Sequence, residues 1–146
     1  MSDKITLESL GEQKRIDDTA KIEYQEQLSS LTKKHGAFYA FCQSQFDENK
    51  KEGVEYVRTD YGLICPKENM KAYIKESDEL FDEMERAFLA ANSKYSIISN
   101  ELYDTEAFLS RNIAGVHATV QSYGITYEEV ELVYNNEYPI FLKHNS

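Results

Sequence analysis

Tryptophan is absent from these 146 residues, and cysteine, proline and glycine are scarce at two, two and six. Each scarcity excludes a class of protein. Two cysteines cannot build a disulfide framework, and the places of Cys42 and Cys65 in the apolar runs AFYAFC and YGLIC predict buried free thiols in a reducing compartment. Six dispersed glycines form no phosphate-binding loop, and G-x-S-x-G and H-E-x-x-H are missing too. No apolar run approaches the roughly 20 residues of a membrane span. The N-terminus MSDKITLESL lacks the basic and apolar regions of a signal peptide, so a cytoplasmic protein without membrane association is predicted. His35, His117 and His144 stand at no helical spacing from one another or from a cysteine, which predicts no metal site, no cofactor and no catalytic residue.

What is abundant is acid. Sixteen basic and 26 acidic residues give a net charge of −10, which disfavours direct contact with nucleic acid and suits a partner protein with a basic surface. A hydrophobic content of 41% with 12% aromatic residues is enough for a core, so the chain is globular. Eleven tyrosines supply most of the aromatic surface. Tyr24, Tyr73, Tyr134 and Tyr138 fall on apolar helical stripes, whereas Tyr56, Tyr61, Tyr95 and Tyr103 are freer to be surface contacts.

The patterning predicts an α+β fold: a small antiparallel sheet of three or four short strands packed by helices, preceded by a long N-terminal amphipathic helix. That first helix covers about Glu12 to His35, with Ile16, Ala20, Tyr24, Leu28 and Leu31 on one stripe and Gly36 as its cap. It defines an extension, residues 1–36, before an α+β domain, residues 37–146. AFYAFC reads as a strand, QSQFDENKKEG as a short helix with Phe46 inward, and VEYVR with YGLIC as a hairpin. After Pro66, a stripe of Met70, Tyr73, Ile74, Leu80, Phe81, Met84, Phe88 and Ala91 predicts the strongest helix of the chain. SIIS and ELYDTEAF supply the candidate fourth strand. A short helix ends at Gly124, and a last one opens with the capping box Thr126 and Glu129, its Ile125 stapled to Val130, and is interrupted or kinked before Pro139.

Between Glu76 and Glu85 six of ten residues are acidic and none is basic. At 100° per residue Glu79, Asp82 and Glu83 point away from the apolar stripe, with Glu76 at its flank. Lys75 and Arg86 stand at helical spacing to pair with this run. The predicted protein-binding surface is Glu76, Glu79, Asp82 and Glu83, with Glu128 and Glu131 on the last helix as a second patch. Two alternatives stand beside it. Glu101, Asp104 and Glu106 have the chemistry of a small metal- or ligand-binding site or of acid–base catalysis, and the N-terminal helix has the stripe needed for an oligomeric accessory protein.

The order of AFYAFCQSQFDENKKEG, YGLICPKENMKAYI and ELYDTEAFLSRNIAGVHATVQSYGITYEEV resembles a family of small uncharacterised proteins carried by bacteriophages and other mobile elements, over about residues 37–138. Where that family continues E-L with Asn-His-Glu, this chain has Asp104, Thr105 and Glu106. The resemblance implies a non-enzymatic protein in the host cytoplasm that binds a host protein. A phage-encoded, anti-CRISPR-like inhibitor of a nucleic-acid-binding defence complex, such as a CRISPR effector or another nuclease, is the function it suggests.

Overall fold

Apolar residues at three- and four-residue steps dictate helices, and a computed structural model, which describes residues 5–145, places eight α-helices and three short strands among them. In chain order these are α1 (Leu7–Leu10), α2 (Thr19–Lys34), β1 (Phe38–Tyr39), α3 (Gln43–Asn49), β2 (Tyr56–Arg58), β3 (Leu63–Pro66) and α4 (Met70–Ala91). Then follow α5 (Lys94–Asp104), α6 (Ala107–Ser110), α7 (Ile113–Val120) and α8 (Tyr127–His144). The architecture is α+β. No described helix is long and apolar enough to cross a membrane.

The sheet is antiparallel in the order β1-β3-β2, with Phe38 opposite Ile64 and Val57 opposite Cys65. Its central strand β3 is buried throughout, while the edge strands are only two and three residues long. Short edges limit pairing with other chains. The β2–β3 turn needs left-handed backbone at Tyr61 and Gly62, φ 63° and 79°. Gly62 is required twice over, because a Cβ there would stand 2.5 Å from the Phe41 ring. Phe46 of α3 closes the sheet's end against Phe38 and Tyr56, at ring distances of 6.2 and 5.7 Å.

Several expectations are corrected. The N-terminal helix does not start near Glu12: the first helix, α1, has four residues, and α2 begins only at Thr19. In between, side chains take the backbone groups that a helix would have paired with each other. The Lys14 N–H donates to Ser96 Oγ at 2.8 Å, the Asp17 N–H donates to Asn92 Oδ1 at 2.7 Å, and Asn92 Nδ2 donates to the Asp17 carbonyl at 3.0 Å. The fourth strand does not form, because SIIS and ELYD lie in α5. Ser93 caps that helix by accepting from the Ser96 N–H, and Tyr95, Ile98 and Leu102 are buried at helical spacing. Cys65 is buried but Cys42 is exposed. On α4, Ile74 and Phe81 are exposed rather than inward, although Phe81 meets Tyr24 edge-on at 6.0 Å. The last helix is not interrupted: α8 runs through Pro139.

The described chain divides into two compact units, the residues up to Asp18 with those from Glu85 onward, and Thr19–Met84. The boundary placed after residue 36 therefore falls inside the second unit. There Leu31 of α2 shares a core with Ala37, Leu63, Cys65 and Tyr73, flanked by Leu28, Met70 and Leu80. Burial of Leu31 stabilises by about 1.5–3 kcal/mol, so α2 is a structural member of the sheet unit. In the other unit α5, α7 and α8 pack on one another around Ile98, Leu102, Val130 and Val133. Phe108 stacks on Tyr134 and Phe141 at ring distances of 5.3 and 4.9 Å. The capping box forms at the start of α8, where the Thr126 N–H donates to Glu129 Oε1 at 2.9 Å.

Candidate functional site

Within the Thr19–Met84 unit, α2 and α4 border a groove of about 760 Å³. Helical spacing decides what each helix contributes. On α2, Glu26, Ser30 and Lys34 recur every four residues; on α4, Glu76, Glu79 and Glu83 recur at three and four. Leu31 and Leu80 line it between them and supply the apolar part of its surface. The result is four carboxylates and one ammonium around an apolar strip.

Glu76 is the organised member. His35 Nε2–H donates to its Oε2 at 2.5 Å and Lys34 Nζ donates to its Oε1 at 3.1 Å. Those two hydrogen bonds, that of His35 foremost, hold the Glu76 carboxyl below the usual carboxylate range. His35 is itself fixed: it is 8% exposed, its carbonyl accepts from Asn69 Nδ2 at 2.9 Å, and its ring meets Tyr73 edge-on at 5.9 Å. The Tyr73 hydroxyl lies 3.2 Å from Thr32 Oγ1. The Thr32–Tyr73 hydroxyl pair is thus joined to the His35–Glu76 bond at the groove wall by the ring contact of Tyr73 with His35.

The side chains of Glu26, Glu79 and Glu83 differ from that of Glu76 in having neither an ion pair nor a hydrogen bond among the described residues. Lys75 and Arg86, placed by spacing to neutralise the run, form no ion pair with it. Three free carboxylates about one groove repel each other, and a cation relieves that repulsion. Of the residues singled out in the sequence, Glu76, Glu79 and Glu83 are brought together here. Asp82 is exposed on α4 but does not line the groove, and Glu128 and Glu131 are exposed on α8 in the other unit. Sequence reading missed Glu26 and Lys34, although their four-residue spacing through Ser30 was visible.

Glu101, Asp104 and Glu106 do not gather into a cluster of three metal-ligating side chains, and no such cluster occurs among the described residues. Asp104 accepts from Asn100 Nδ2 at 3.2 Å, and Glu106 lies beyond the end of α5 in left-handed backbone. A different polar centre was missed in that unit. Glu137 of α8 is 2% exposed, accepts a very short hydrogen bond from the Tyr95 hydroxyl and accepts from the Tyr103 hydroxyl at 3.0 Å. Asn136 Nδ2 donates to the Tyr95 hydroxyl at 2.9 Å. Burial first, and the bond to Glu137 second, push the Tyr95 phenol up to about 12 and raise Tyr103 as well. Tyr95 is therefore interior rather than a surface contact. Among the described residues no cation pairs with Glu137, and the hydroxyls of Tyr95 and Tyr103 are the donors that reach it.

Neither the curated proteins nor the solved structures contain a match to this chain. A family described only as a family of unknown function, DUF7659, matches residues 20–137, a span that takes in both the groove and the Glu137 centre, and the chain belongs to that family.

Proposed function

We propose that the α2–α4 groove receives a basic segment of a partner protein, making this chain a non-enzymatic, acidic interaction protein. The observation that carries the reading is the set of unpaired carboxylates, Glu26, Glu79 and Glu83, around the apolar strip of Leu31 and Leu80. A lysine or arginine matches that combination, because its aliphatic stem covers apolar surface while its head reaches a carboxylate. The net charge of −10 adds long-range steering of a basic partner, which raises association rates and makes them salt-dependent. Host nucleic-acid-binding proteins, including CRISPR effectors, carry basic channels of this chemistry and form the partner class we favour. An exposed thiol at Cys42 suits the reducing cytoplasm as the compartment.

Reversal of Glu79 and Glu83 to lysine is the direct test. Association with a short arginine-rich peptide, followed by fluorescence anisotropy at rising salt, is expected to be lost in the double variant. Undiminished binding by Glu79→Lys/Glu83→Lys removes the groove from consideration.

A further inference from the structure

Resting on the groove reading, we infer that Lys34 is an internal occupant of the site: its ammonium holds the place of the partner's cation at Glu76 and is displaced when the basic segment binds. The two sides of the Lys34–Glu76 pair are unequally fixed. Glu76 Oε2 is tied to His35, which is buried and anchored through Asn69, so the carboxylate stays aimed with Oε1 toward Lys34. The Lys34 side chain is 64% exposed and makes this one bond, at the C-terminal end of α2. An exposed pair of this kind is weak, and the long lysine stem regains rotamer freedom on leaving.

Charge favours the exchange. Lys34 neutralises one of four groove carboxylates, and Glu26, Glu79 and Glu83 stay unmatched. A partner segment bearing several lysines or arginines satisfies all four, whereas the resident ammonium satisfies one. The occupant is thus a polybasic stretch of another protein, and Lys34 sets a threshold that a single isolated cation does not readily pass. With Leu31 and Leu80 lining the groove, departure of Lys34 opens it to the incoming stem without moving either helix.

The test uses the full chain and a fluorescent arginine-rich peptide. Lys34→Met, which keeps the stem and removes the charge, is expected to tighten binding by about fivefold, the scale of one surface ion pair. Lys34→Gln serves as a second variant and is expected to tighten binding as well. Lys33→Met is the control, since Lys33 is exposed on the neighbouring α2 position and does not line the groove. It removes the same charge from the protein and is expected to change affinity by less than about twofold. Equal tightening by the Lys33 and Lys34 variants, or none from Lys34, overturns the displacement while the Glu79→Lys/Glu83→Lys loss keeps the groove. If that double variant still binds, the groove reading falls and the displacement with it.

Discussion

Glu76 and Glu137 are the same side chain put to opposite uses. Glu76 stands at a groove wall with two hydrogen-bond partners, the buried His35 ring and the exposed Lys34 ammonium. Glu137 is enclosed among α-helices and is held by two tyrosine hydroxyls, with no cation paired to it among the described residues. A carboxylate that keeps contact with water can exchange one partner for another at little cost. One that is enclosed cannot, because loss of a donor leaves an uncompensated group in a poor solvent. The groove is thus the place that the proposed partner would use, and the tyrosine-held acid is a structural contact of the interior.

The largest break in that contrast comes from Glu137→Ala, expected to destabilise by about 3–5 kcal/mol through lost buried hydrogen bonds and a cavity. Urea unfolding measures it, and a cost no greater than that of a surface substitution contradicts a structural role. Alkaline titration is the next test. The folded Tyr95 phenol titrates at about 12. The unfolded chain releases that proton near pH 10, so stability is fully present below about pH 10 and declines as pH rises through the folded value. Phenolate absorbance read alongside unfolding is expected to show a larger loss in the wild type than in Tyr95→Phe, where the raised phenols of Tyr24, Tyr103 and Tyr123 still contribute.

Smaller again, Tyr103→Phe removes one of the two donors to Glu137 and is expected to cost about 1 kcal/mol, at the low end because the side chain is partly exposed. The groove is expected to respond in the opposite pH direction. Glu76 has its carboxyl lowered on folding, so its contribution is present above the ordinary carboxylate range and disappears as pH falls through the lowered value. Glu76→Gln is expected to remove that acid-side slope. Smallest of all, Glu79→Lys/Glu83→Lys leaves stability within about 0.5 kcal/mol while abolishing peptide binding, a separation that Glu137→Ala cannot show.

Local signals were legible where one residue's neighbours in sequence are also its neighbours in space. The Thr126–Glu129 capping box, the β2–β3 hairpin, the α4 stripe of Tyr73, Met84 and Phe88, and the outward acids Glu79 and Glu83 all follow from spacing along one element. The errors share a cause. Residues 12–18 carry a helical pattern, yet Ser96 and Asn92, more than seventy positions away, take up their backbone groups. Residues 94–104 are buried on so many sides that their helical stripe is blurred, which made SIIS look like a strand. Ile74 and Phe81 fit the α4 stripe by spacing but have no complete cover, since burial depends on what packs opposite.

By itself, then, the sequence determined the α+β composition, the helices with clean amphipathic or capping signals and the acidity of α4, because each depends on interactions within a few residues. Tertiary structure alone decided that Glu26 and Lys34 of α2 face Glu76, that α2 belongs to the sheet unit, and that Glu137 is enclosed by Tyr95 and Tyr103. Those pairings join residues 34 to 50 positions apart, and the partner of a carboxylate at that separation is set by which faces the packing brings together.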